Sequence, residues 1–140
     1  MNMSSPEIAG LGAAAARAAD AMLRALGGDQ ITIVFPLVQM PNDPSAQLGL
    51  VDPGVQEVTL SPVAVLNLPS AGDGPRRKLQ FLISNTAVAS AVVAQNSASA
   101  DAFFDSALGI NYGNDLFHIE EVVPEYFAGV ACLYRVTAVE

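Results

Sequence analysis

Apolar residues recur with helical spacing at the start of the chain. Ile8, Leu11, Ala15, Ala18, Met22 and Leu26 share one face of a helical wheel. Arg17, Asp20 and Arg24 fall on the opposite face, at spacings that let Asp20 pair with both arginines. Ser5 suits an N-cap, Pro6 the first helical position, and Glu7 the positive helix N-terminus. Gly27 and Gly28 end the pattern. These signals predict a helix over 5–27. The run Gly10 to Ala16 has almost no side-chain bulk, so its backbone can approach a neighbour closely. The simplest expectation is packing of that run on the chain's own sheet. Packing on a neighbouring molecule is the alternative.

Beyond the helix the period shortens to that of strands. Gln30 to Phe35 is rich in β-branched residues and is stopped by Pro36. Residues 37–54 show no period and contain Pro41, Pro44, Pro53, Gly49 and Gly54. A loop that long exceeds a plain connector and is of the kind that is functional or disordered. Leu48, Leu50 and Val51 within it predict that part of it docks. From Val55 to Leu68, Val58 and Leu60 alternate with Glu57, Thr59 and Ser61 until Pro62 intervenes. That interruption predicts an edge strand or a bulged one. Pro69 to Pro75 reads as a turn or exposed loop, and Leu79 to Ser84 as a strand. The stretch 85–98 is open: Ala87 to Val93 suits a strand or a small-residue helix equally. Ser99 caps a short helix, Ala100 to Leu108, with Phe103, Phe104, Ala107 and Leu108 on its apolar face. Leu116 to Val123 and Val130 to Val139 form a closing hairpin. The order predicts one α+β domain over 1–140: an N-terminal helix on a small, mostly antiparallel curled β-sheet or β-barrel, with a short second helix. The β-rich body is 30–140.

Composition narrows the function. Of 140 residues, 51% are hydrophobic and 14% charged. An average soluble domain carries roughly 25% charged residues. So much apolar surface implies a large core or a surface used in assembly. The formal net charge is -8, which is wrong for gripping phosphates with clustered cations. The one basic cluster is Arg76, Arg77 and Lys78. It reads either as a solvated strand start that blunts a sheet edge or as a docking patch for an acidic surface. The apolar N-terminal stretch contains Arg17, Asp20 and Arg24, which are expensive in a bilayer. Met1 to Ser5 lacks the basic start of a signal peptide. From the residues alone, the expectation is a soluble cytoplasmic protein with no membrane partner.

Candidate chemistry is sparse. His118 is the single histidine and Cys132 the single cysteine, so no intrachain disulfide is expected and Cys132 reads as a buried, inert thiol. Without a second histidine or a cysteine partner, His118 predicts no transition-metal site. A Cys–His pair between adjacent strands stays open at this level. Glu120 and Glu121, consecutive in a strand, should point to opposite faces and so not form an acid–base pair. No phosphate-binding glycine loop follows a strand. The expectation is a non-enzyme with no catalytic residues, cofactor or metal.

Two segments carry a family likeness. They are Ser99-Ala-Asp-Ala-Phe-Phe-Asp-Ser-Ala-Leu-Gly-Ile110 and the closing hairpin Leu116 to Val136, with its strand, Val-Val-Pro, glycine-containing turn, and strand bearing Tyr134 and Arg135. Together with the leading small-residue helix, this resembles the small neck proteins of tailed bacteriophages, the head-tail connector, head-closure or tail-completion class. The likeness is strongest over the last forty or so residues. It implies a structural virion protein, assembled in the host cytoplasm. Copies would form a homo-oligomeric ring between portal or adaptor and tail proteins. DNA would pass through the lumen without specific binding, and an acidic wall would let it slide. A small-molecule-binding or chaperone-like bacterial β domain is the alternative, and it would need an apolar pocket.

Overall fold

The computed structural model describes residues 5–36, 54–69 and 76–140. The long loop at 37–54 therefore lies outside the described residues except for Gly54, as does most of the predicted turn before Arg76. In chain order the elements are α1 (Ser5–Ala25), β1 (Asp29–Pro36), β2 (Val55–Leu68), β3 (Lys78–Ser84), α2 (Asn85–Ala94), α3 (Ala100–Asp105), β4 (Gly109–Tyr112), β5 (Asp115–Phe127) and β6 (Val130–Val139). The strands close an antiparallel barrel in the order β1-β2-β3-β6-β5-β4. The α+β expectation holds, and of its two sheet forms the barrel is the one adopted.

Period-two alternation builds the core. Ile31, Ile33 and Phe35 of β1, Leu79, Phe81 and Ile83 of β3, and Tyr134, Val136 and Ala138 of β6 all point inward. A barrel of so few strands is filled by its own side chains. Phe81 lies at its centre, edge-on to Phe117 and Tyr112 at centroid distances of 6.2 and 5.8 Å. Val88 and Ala91 of α2, with Phe103 and Phe104 of α3, complete the core. Phe103 meets Phe35 at 5.1 Å, and Phe104 meets Tyr134 at 5.8 Å.

Local signals place the helix ends. Gly28 N donates to Leu23 O and Gly27 N to Arg24 O, a paired closure that needs Gly27 at φ 127°. Hence α1 stops at Ala25 and the predicted last two residues form the turn. Ser84 settles the open stretch in favour of a helix. Its hydroxyl accepts from Thr86 N and Ala87 N, so α2 starts directly where β3 ends. Ser99 caps α3 as expected. That helix is shorter than predicted because Leu108 N leaves it to donate to Val34 O, at 2.7 Å.

Three expectations about strands change. Pro62 sits in a bulge of β2: Asp29 pairs with Val63 and Ile31 with Leu60. The bulged reading holds, while closure of the barrel removes the edge-strand one. Closure also removes the edge that Arg76 to Lys78 were expected to blunt, since β3 is paired with β2 on one side and β6 on the other. Glu120 and Glu121 do not face opposite ways. A second bulge lies between Ile119 and Glu121, and both glutamates are exposed.

The largest correction concerns α1, which packs outside the barrel across β6, β3 and β2. Its buried residues are Gly12 and Leu23, with Ala19 and Asp20 half-buried beside them. The stripe predicted to face the sheet looks outward instead: Leu11, Met22 and Leu26 are 40%, 44% and 61% exposed. Gly12 explains the rotation. A Cβ there would stand 2.7 Å from Val130 Cβ, so only glycine lets the helix backbone reach the β5–β6 turn. Gly12→Ala should gain about 1 kcal/mol of helix propensity but lose about 1–3 kcal/mol to overpacking. Gly10 faces open space, so Gly10→Ala should raise stability by up to about 1 kcal/mol. Urea midpoints of the two variants should therefore move in opposite directions.

Candidate interaction surfaces

β5 and β6 outrun the barrel wall. β4 covers β5 only from Asp115 to Phe117, whereas β6 pairs with β5 out to Phe127. From Val123 onward the ribbon carries large exposed apolar groups: Val123 at 37%, Tyr126 at 66% and Phe127 at 54%. The turn at its tip uses Ala128 and Gly129 with positive φ of 50° and 77°. Arg135 pairs with Glu125 across the strands at 3.2 Å. Sequence reading identified this hairpin but not that its tip would be both apolar and bare.

The basic triplet is engaged by the chain itself. Arg77 Nε donates to Glu140 at 2.8 Å, and Arg77 also pairs with Asp115. Its guanidinium lies 5.2 Å from the Phe117 ring centroid. The hydrogen bond to Glu140 and the charges of Glu140 and Asp115 hold its pKa above the ordinary arginine value, against a lesser desolvation effect. Glu140 N donates in return to Arg77 O. Lys78 pairs with Glu120 at 3.2 Å. Arg76 alone of the three makes no ion pair among the described residues. As a docking patch, the triplet would have to act through Arg76 or break pairs already made.

A groove of about 470 Å³ runs between α3 and β5. Phe104, Ile119 and Val122 form its apolar part, and Asp101, Asp105, Glu120 and Glu121 stand around it. The β5 bulge brings both glutamates to this one side. His118 also lines the groove and is exposed. Register separates it from the lone thiol: His118 pairs with Val139, while Cys132 lies seven residues back along β6. That is about 23 Å at strand rise, so the two form no catalytic pair. Cys132 is buried, its Sγ 3.6 Å from Val130 O. Tyr134 has its pKa raised, first by burial and then by the negative charges of Tyr126 and Asp101.

A second cleft, of about 380 Å³, lies between α1, β2 and α2. Its polar wall includes Asp20, Arg24, Thr59, Ser61 and Ser84. Asp20 accepts a hydrogen bond from the Ser84 hydroxyl, so it turns toward the barrel rather than toward the arginines expected to pair with it. This contact was invisible in the sequence because its partners lie 64 residues apart. Among the described residues, no group of three or more His, Cys, Asp or Glu is placed to hold a metal ion. No helix there is long and apolar enough to cross a membrane.

The class these surfaces define is an α+β barrel with apolar side chains displayed on a strand ribbon and on an outer helix. Beyond that, no protein-family model, curated protein or solved structure matches the chain significantly.

Proposed function

We propose that this chain is a structural subunit of a homo-oligomeric ring at the head–tail junction of a tailed bacteriophage. There it would join portal and tail proteins and surround the DNA passage. The observation that carries the reading is the bare apolar end of the β5–β6 ribbon, with Val123, Tyr126 and Phe127 in solvent. Exposed aromatics on a two-stranded extension are costly unless a partner covers them. They also lie within the hairpin that bears the neck-protein resemblance. The net charge of -8 suits a wall past which DNA slides rather than sticks. The work is done by surfaces, so the reading assigns no catalytic role and no cofactor.

Native mass spectrometry and negative-stain imaging of the purified protein test this directly. Closed rings, and capture of portal or tail subunits, are the expected results. A monomer at tens of micromolar, a concentration at which surfaces with Kd near 1 µM would be occupied, would sink the reading if it also ignores virion proteins. Tyr126→Ser together with Phe127→Ser should weaken assembly while leaving the fold intact.

The α1–β2–α2 cleft favours a second reading, a small-molecule-binding or chaperone-like β domain. The barrel interior is filled by Phe81, Phe117 and their neighbours, so a ligand would bind at this outer cleft. A thermal-shift screen with small polar and apolar ligands distinguishes the readings. A rise in Tm abolished by Ala91→Trp would favour the second.

A further inference from the structure

Two surfaces on different sides of the barrel complement each other. The first is the outward face of α1. Leu11, Met22 and Leu26 line one edge of it, and Arg17 and Arg24 the other. Gly10, Ala14, Ala18 and Ala21 lie between, all exposed. This face has the large apolar groups, the cations and the low centre of a helix that packs closely on something. Nothing in its own fold covers it.

The second surface is the α3–β5 groove. Its apolar part is Phe104, Ile119 and Val122, and its rim is acidic. Lys78 already holds Glu120. Asp101, Asp105 and Glu121 make no ion pair among the described residues.

Charge limits what fits. The chain has six basic residues. Arg77, Lys78 and Arg135 are committed to the chain's own carboxylates. Of the remaining three, Arg17 and Arg24 both sit on the outward face of α1. The one described surface that offers cations and large apolar groups together is thus α1, and the groove offers carboxylates beside an apolar floor. α1 lies over β6, β3 and β2, whereas the groove lies on β5, so one copy cannot join its own two surfaces.

We propose that the outward face of α1 of one copy docks in the α3–β5 groove of the next. The contact joins two different patches, so it is head-to-tail and closes into a ring if the rotation permits. This inference rests on the homo-oligomeric reading above and names its interface. Leu11, Met22 and Leu26 cover the groove floor, while Arg17 and Arg24 reach the free rim carboxylates.

Charge exchange between two variants tests it. R17E/R24E makes the helix face acidic. D105K/E121K makes the groove rim basic and leaves Asp101 in the first turn of α3, where an acid favours the helix. All four positions are exposed, and circular dichroism should be unchanged in both variants. Light scattering should show an assembled wild type, loss of the assembled species in each variant alone, and its recovery when the two are mixed in equal amounts. Recovery follows because each helix then meets a groove of opposite charge, in alternation around the assembly. If either variant assembles alone like wild type, or if the mixture stays dissociated, the helix and groove are not partners. The homo-oligomeric reading survives either of those results. A wild type that never assembles overturns both.

Discussion

Phe81→Ala should cost about 3–5 kcal/mol, the range for truncating a fully buried aromatic. Phe81 is 0% exposed and meets Phe117 and Tyr112 edge-on. Its β3 neighbours are paired on both sides, so the wall cannot collapse inward to fill the space without breaking ladders to β2 or β6. Total stability for a chain this size is about 5–15 kcal/mol. The variant should thus retain barrel signals at low temperature but unfold at a far lower urea midpoint. A loss under 1 kcal/mol would mean that the barrel relaxes around the void and is not the close-packed object described above.

Ser84→Ala should give the second largest loss, about 2–3 kcal/mol when a cap and a buried acceptor's partner go together. Ser84 is 0% exposed and its one hydroxyl joins three groups. It accepts from Thr86 N and Ala87 N at the start of α2 and donates to Asp20 of α1. Removing it uncaps one helix and strips a half-buried carboxylate in another of its donor. Asp20→Asn separates the two effects, because α2 keeps its cap. It should cost less than Ser84→Ala, and the double variant should cost less than the sum of the two single losses. Additive losses in a urea-denaturation cycle would show that the Asp20–Ser84 bond contributes nothing.

What the sequence made legible was local. Ser99 as a cap, Gly27 and Gly28 as a stop, Pro62 as a disturbance of β2, and the closing hairpin each depend on a few consecutive residues. Local geometry decided them in the fold as well. The orientation of α1 depended instead on a distant contact. A helical wheel ranks positions by hydrophobicity, and by that measure Leu11, Met22 and Leu26 belong inside. The actual choice was made by Gly12, whose missing side chain admits Val130, and by Asp20, which finds Ser84. Glu120 and Glu121 failed for a related reason. Strict alternation holds only while the ladder stays in register, and one bulge brings two consecutive carboxylates to the same side. The candidate groove was illegible for the same cause, since it is assembled by that bulge and by the early end of α3.

The seam between β1 and β4 has a bearing on how the barrel forms and opens. It consists of Thr32, Ile33 and Val34 against Asn111, Ile110 and Gly109, three pairs that join segments far apart in sequence. Loop closure of that length is paid late, after the nearer hairpins exist. The seam is thus the last part of the cylinder to zip and the first to part. When it parts, both flanking strands keep their other neighbour, β2 for β1 and β5 for β4. The barrel then unrolls into a curved sheet while most of its ladders survive. Fluctuations of the folded chain are in this way steered into one hinge line on the wall, away from the α1 surface and the ribbon tip.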